Sequence, residues 1–230
     1  MIDVHSHYLP MVDDGSPSAE LSVQMLKEAE ALGVTGVILT PHYRKQYRAG
    51  KAELLPAFKS FSEFCEKEGL NLSLYLGQEV YYEKGVFDDV ANAEYLTLCG
   101  GKYLLTELPF DVEIEAYDVA LKIINQGYVP VFAHVERYPY LTPSYIAEIK
   151  ELGSLIQVNA GSVAGAAKKA YGKTVTELFK RNLVDLVASD CHYNRENKMD
   201  KAYAFVKKKF GEDTAERVFV EIPKRIIKGE

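Results

Sequence analysis

At 230 residues, with 47% hydrophobic and 26% charged side chains, the chain is composed like a soluble globular protein and is long enough to bury a full core. A formal net charge of −6 excludes nucleic acid as a bulk partner, because binding a phosphate backbone needs clustered Lys and Arg. The three cysteines, Cys65, Cys99 and Cys191, have no paired spacing, which excludes a disulfide framework and a zinc finger, and no apolar run approaches a membrane span.

The chain begins at once with a strand pattern over Ile2–Val4 and shows no signal peptide, so a cytoplasmic protein without membrane insertion is expected. Ser16 followed by Pro17 reads as a helix N-cap and first-turn proline, with Gly33 as the stop. Further short apolar, β-branched runs follow at Gly36–Leu39, Leu72–Leu76, Tyr103–Leu105, Val129–Ala133, Leu155–Val158 and Leu183–Ala188. Helix-period segments separate them, and Gly69, Gly127 and Gly153 close three of these; Pro56 marks a first turn or a mild kink. Lys207-Lys208-Lys209 reads as the solvated face of a late helix. Continuous apolar strands alternating with helices predict a parallel sheet covered by helices. Seven βα units, with no GxGxxG or P-loop after any strand, point to an α/β fold of the distorted TIM-like (β/α)7 barrel type, in one domain over residues 1–230.

In such folds functional side chains gather at the carboxyl ends of strands. Those ends read VHSH, LTPH, GQE, TEL, AHVER and ASDCH, and they carry His5, His7, His42, Glu79, Glu107, His134, Asp190 and His192. Any one histidine is more simply a core or capping residue. All five histidines of the chain at one topological position, accompanied by carboxylates, are not. Asp13 and Asp14 follow the first strand closely enough to fold over the same rim, whereas the sixth strand, ending QVN, offers only Asn159. Imidazoles and carboxylates converging without thiolates suit divalent first-row metals such as manganese, iron or zinc. Five histidines with Asp14, Glu79, Glu107 and Asp190 are too many ligands for one ion and enough for two or three. The four carboxylates would repel one another without cations; with them the cavity becomes a receptor for an anion.

DVHSH, TPH, Glu79, Glu107, His134 and SDCH together resemble the PHP superfamily of polymerase and histidinol phosphatase domains. MIDVHSHYLPMVDDGS, ILTPHY, GQEVY, LLTELPF, HVERY and ASDCHY resemble, within it, the manganese-dependent bacterial protein-tyrosine phosphatases of capsular and exopolysaccharide loci. The resemblance runs from residue 1 to about residue 200. It implies a distorted seven-stranded barrel with a trinuclear centre. His5, His7, Glu79 and Asp190 would hold the first metal, Glu79, Glu107 and His134 the second, and Asp14, His42 and His192 the third, with Glu79 bridging. It also implies that Arg137 grips phosphate; Val135 stands where the family has proline, and Arg195 is the nearest match to a second family arginine. A phosphotyrosine-containing protein, a tyrosine kinase's C-terminal tail, is the implied partner.

The expected reaction is phosphotyrosine hydrolysis by a metal-activated hydroxide, with Arg137 as the catalytic and phosphate-binding arginine. A phenolate leaving group, with a pKa of about 10, needs little help from a general acid. The cysteine route requires Cys-x5-Arg. Asn71, Leu105 and Asn197 occupy the three positions where that arginine would stand, so the route is excluded. Tyr8, Tyr43, Tyr138 and Tyr193 adjoin proposed site residues and could form an aromatic rim for the substrate ring, or simply pack the barrel loops. The alternatives are a histidinol-phosphate-type phosphatase, which a ring-sized lidded pocket would favour, and a metal-binding regulatory module without turnover, which missing ligands would favour.

Overall fold

The computed structural model describes residues 1–165 and 171–230. The elements run β1 (Ile2–Ser6), α1 (Ala19–Ala31), β2 (Gly36–Leu39), β3 (His42–Tyr43), α2 (Lys51–Lys67), β4 (Ser73–Leu76), β5 (Glu79–Tyr81) and β6 (Tyr103–Glu107). They continue with α3 (Ala116–Ile124), β7 (Val129–Phe132), α4 (Pro143–Glu151), β8 (Leu155–Asn159), α5 (Ala160–Ala164), α6 (Gly172–Lys180) and β9 (Leu186–Ala188). After α7 (Met199–Phe210) and α8 (Glu212–Glu216), a π-turn leads into α9 (Ile222–Lys228).

All pairings between these strands are parallel, in the orders β1-β2-β4 and β3-β5-β6-β7-β8-β9. The strand count differs from the expected seven because two strands, β2 and β4, end where expected at Leu39 and Leu76 and a further short strand follows each. The chain breaks at Thr40-Pro41 before β3 and at Gly77-Gln78 before β5. Proline cannot donate to a ladder, and Gly77 lies against Leu98, where a Cβ would come within 2.8 Å of Leu98 Cδ2. The resulting curled sheet closes on itself where Asp190 N donates to His5 O (2.9 Å) and His7 N to Cys191 O (3.1 Å).

Successive residues of a strand face opposite sides, and two apolar clusters follow. Leu104, Phe132 and Val187 pack toward the helices, whereas Leu105, Val131 and Leu186 join Val4 and Ile38 in a second cluster with Ile226 of α9. Each fully buried Leu, Ile or Val contributes roughly 1.5–3 kcal/mol, so the two clusters fix the strands that carry the site.

The helix starts depart in detail from the sequence reading. α1 is capped by Ser18, whose Oγ accepts from Leu21 N (3.2 Å), while Ser16 is buried and donates to Ser18 O. Pro56 lies inside α2 beyond its first turn. Gly33, Gly69, Gly127 and Gly153 all take positive φ just past helix ends, the left-handed position glycine favours. The lysine run is exposed on α7. Among the described residues no helix is long and apolar enough to cross a membrane.

Candidate metal centre

The carboxyl ends of the strands bring His5, His7, His42, Glu79, Glu107, His134, Asp190 and His192 into one buried cluster, with Asp14 reaching in from a more exposed position. Glu79, at the start of β5, is the hub. Its carboxylate lies 3.3 Å from both His5 Nε2 and His7 Nε2, and 2.9 Å from both His42 Nδ1 and His134 Nε2. His134 Nε2 is also 3.7 Å from Glu107, and Asp190 is 3.8 Å from His5 and 3.6 Å from His7.

Local backbone supports this convergence. The turn after β1 folds Asp13-Asp14-Gly15 back onto His7, and any Cβ at Gly15 would fall 2.1 Å from His7 O, so only glycine fits. His134 and Asp190 adopt positive φ (36° and 48°), a costly conformation for non-glycine residues that collects at functional sites. Ring orientation is set from behind. His7 Nδ1 pairs with Asp13 Oδ2 (2.7 Å), His5 Nδ1 with Gln157 Oε1 (3.2 Å), and His134 Nδ1 with the Tyr138 hydroxyl (3.2 Å). Each contact leaves Nε2 toward the cluster, the arrangement that orients a metal-ligating imidazole. Gln157 also accepts from His134 N (2.8 Å) and donates to Asn159 (2.9 Å), whose amide donates to Asp190 Oδ2 (2.7 Å). The sixth expected strand, β8, thus supplies no ligand-type side chain but holds those of three neighbours.

The electrostatics are those of a site built for cations. Burial and repulsion from Glu79 push the Glu107 carboxyl up to about 8. Burial also opposes ionisation of Glu79, yet His5 and His42 hold its pKa well below the ordinary value. Asp190 is likewise held at about 2, against burial, by His5 and His134. Burial, with His7 adding to it, lowers His192 to about 4, a neutral imidazole at pH 7. Against burial, Glu79 raises His5 to about 8 and Asp13 raises His7 well above its ordinary value; protons on these two imidazoles partly neutralise the carboxylates here, and divalent cations would displace them.

The residues fit such ions. Glu79 Oε2, Glu107 Oε2 and His42 Nδ1 are buried without a hydrogen-bond partner among the described residues. Each unpaired acceptor costs about 1–3 kcal/mol, which coordination would offset. Three tight sets have ligand atoms within 4.8 Å of one another: His7, Asp14, His42 and His192; His5, His7 and Asp190; and His42, Glu79 and Glu107. The first two overlap the sets implied by the family resemblance. In the third, His42 takes the place expected for His134, which instead sits 2.9 Å from Glu79 on the other side.

A cavity of about 90 Å³ opens above the cluster, walled by Arg44, Phe110, Arg137 and Arg195 among others. Arg137 stacks over Phe110, its Cζ 4.3 Å from the ring centroid, with Nη1 3.6 Å from Asp190 Oδ2. Arg195 Nη1 is 3.3 Å from the same oxygen. Arg44 and Phe110 escaped the sequence reading. Arg44 stands two residues beyond His42, and it pairs with Asp14 at 3.0 Å.

The expected tyrosine rim is not there. Tyr8 and Tyr138 are buried behind the site, hydrogen-bonded to Asn197 and to Leu108 N. Tyr43 points away from His42, onto Tyr95 and beneath Arg48. Tyr193 is exposed and is no part of the cavity wall. No cysteine joins the ligand cluster, although Cys191 stands between Asp190 and His192. Burial pushes Cys65 to about 11 and Cys99 and Cys191 to about 12, and Cys191 Sγ donates to Arg195 O (3.2 Å).

Residues 1–228 match the family described as capsular polysaccharide synthesis, CpsB/CapC. The chain belongs to the CpsB/CapC family. Among similar proteins, tyrosine-protein phosphatase YwqE of Bacillus subtilis (strain 168) is 34% identical over 223 residues, covering 93% of this chain and 86% of the relative. Tyrosine-protein phosphatase CpsB of Streptococcus pneumoniae is 31% identical over 238 residues, covering 99% and 98%. A crystal structure from work on YwqE and CpsB, described as unique metal-dependent tyrosine phosphatases, superposes with a TM-score of 0.88 at 30% identity, covering all of this chain and 95% of the other. For a CpsB/CapC chain, the buried histidine–carboxylate cluster is therefore the place to look for metal chemistry.

Proposed function

We propose that this chain is a metal-dependent protein-tyrosine phosphatase acting, as a single domain in the cytoplasm, on a phosphotyrosine-bearing partner protein such as the C-terminal tail of a tyrosine kinase. The observation that carries this reading is the small cavity that sets seven ligand-type side chains, with His5 and His7 beneath them, against three arginines. His5, His7, Asp14, His42, Glu79, Glu107, His134, Asp190 and His192 would hold two or three ions, with manganese the first choice. Bound cations supply Lewis acidity for phosphoryl transfer and acidify water.

The chain's own residues do the rest. Arg137, held over the Phe110 ring in the cavity wall, would present its N–H groups to the phosphoryl oxygens, and a guanidinium fork suits two of them at once. Arg195 stands beside it over Asp190. A cavity of about 90 Å³ admits the phosphoryl group but not the ring, since pockets that enclose a drug-sized ligand run to roughly 300–1,000 Å³. The phenol is therefore outside, where solvent protonates it as it leaves. That open mouth favours a protein tail over histidinol phosphate.

The test is metal analysis with an activity panel of phosphotyrosyl peptide against histidinol phosphate. Chelation should abolish peptide hydrolysis, manganese should restore it, and iodoacetamide should leave it intact. Inactivation by iodoacetamide but not by a chelator would overturn the reading.

A further inference from the structure

The metal cavity continues past Arg137 and Arg195 into a larger depression of about 380 Å³, and the two share both arginines and Asp190 as walls. Its far side is formed by Gly161 and Ser162 of α5, by Tyr171 before α6, and by Lys198 before α7. On the opposite flank, the groove walled by Tyr43 and Arg48 shares no wall residue with the metal cavity.

We propose that this depression is the seat of the substrate's polypeptide, and that it selects acidic residues flanking the phosphotyrosine. The proposal rests on the phosphatase reading and adds the substrate's direction and its sequence character. Size supplies the first argument. The phosphoryl-sized cavity leaves the ring and backbone outside, and the adjoining depression lies in the range that holds a whole ligand. Charge supplies the second. Arg137, Arg195 and Lys198 line it, while its one other wall carboxylate besides Asp190, Glu196, is already paired with Lys198 (3.5 Å) and Lys201 (2.5 Å). Asp190 faces the histidine cluster through Oδ1 and both arginines through Oδ2, so three wall cations stand against two carboxylates and the groove presents net positive charge to an incoming chain. Tyr171, 41% exposed, offers an apolar face at the outer end. Complementary charge of this kind sets partner preference more than raw affinity.

Gly161 gives a clean way to block the groove. Among the described residues a Cβ there meets nothing within 4 Å, so a larger side chain on this wall fills space of the depression without displacing described backbone. The experiment compares wild type, Gly161→Trp and Lys198→Glu, each loaded with manganese, on three substrates: a phosphotyrosyl peptide with acidic flanks, its lysine-flanked counterpart, and p-nitrophenyl phosphate. Gly161→Trp should lower the ratio of kcat/KM for acidic peptide over p-nitrophenyl phosphate at least tenfold, chiefly through KM. Lys198→Glu should cut the preference for the acidic over the lysine-flanked peptide several-fold. Ratios within twofold of wild type in both variants overturn the proposal. Should Gly161→Trp fail to fold, Lys198→Glu decides alone, because among the described residues its Nζ makes only the 3.5 Å contact with Glu196. If wild type with manganese hydrolyses none of the three, the phosphatase reading itself has failed, and that result is distinct from an unchanged ratio.

Discussion

Buried carboxylates occur at both ends of the barrel, and the fold treats them in opposite ways. Just before β9, Asp185 is matched on both oxygens: Oδ2 accepts from Ile156 N (3.0 Å), and Oδ1 from Arg217 Nη1 (3.4 Å) and Lys150. At the strand ends, Glu79 and Glu107 crowd one another, each keeps an unpartnered buried oxygen, and Glu107 is pushed to about 8. One end of the barrel neutralises its anions with its own cations. The other accumulates acceptors whose natural complement is a metal, in keeping with the division between stability and chemistry in barrel folds.

Glu107→Gln tests that contrast most severely. It should reduce manganese content and lower phosphatase kcat/KM by on the order of 10³-fold, about 4 kcal/mol of barrier. The metal-free protein should nevertheless melt no lower than wild type, because a repelling carboxyl has been neutralised. A large drop in the metal-free Tm with activity retained would reverse the assignment of the two ends.

Arginines sharpen it next. Arg137→Ala should leave metal stoichiometry and Tm nearly intact while costing roughly 2–4 kcal/mol in kcat/KM, about 30- to 1,000-fold, and Arg137→Lys should recover little. Arg217→Ala, at the other end, should lower Tm and leave kcat/KM of the folded enzyme unchanged. Wild-type kcat/KM in Arg137→Ala would show that another group grips the phosphate.

Asp185→Asn is the mirror of Glu107→Gln. Denaturant melts should record a loss of about 2–3 kcal/mol, since two cations and a backbone N–H lose their charged acceptor, with specific activity unchanged.

The smallest effect concerns Glu136, buried beside Arg137 and accepting from Asn159 N (3.1 Å). Burial raises its carboxyl from 4.5 to about 7. Between those pH values the native state keeps a proton that the unfolded chain has lost, so its contribution to stability falls as pH rises through that window and stays low above it. Glu136→Gln should therefore stabilise the metal-free protein by about 1–2 kcal/mol at pH 8 and by little at pH 4.5. Equal Tm differences at both pH values would show that the carboxyl does not titrate in that window.

What the sequence disclosed and what it hid have one physical cause. His5, His42, His134 and Asp190 were legible because a parallel fold places strand ends on one face, and strand ends can be found from apolar runs. The break at Pro41 and Gly77, by contrast, depends on Leu98 lying against the chain, a contact no local pattern announces. Asp13 was visible as a rim residue, but its grip on His7 was not, and Gln157 read only as part of a ligand-free strand. The tyrosines misled for a simpler reason: adjacency in sequence is opposition in space. Tyr43 follows His42 in β3, where alternate residues face opposite sides, and Tyr8 and Tyr138, which lie outside the strands, are buried beside His7 and Arg137.

The seam that closes the barrel, Asp190 N to His5 O and His7 N to Cys191 O, joins the first strand to a segment some forty residues from the chain's end. Two parts of the centre are thus far apart in the chain, His5 and His7 being made well before Asp190 and His192. At synthesis rates of about 5–20 residues per second, His5 and His7 wait roughly 10–40 s for Asp190 and His192 to be added, and longer for them to clear the ribosome. Until Asp190 and His192 are added, a nascent chain can hold only part of the ligand set, so full metal loading waits on the segment that closes the seam.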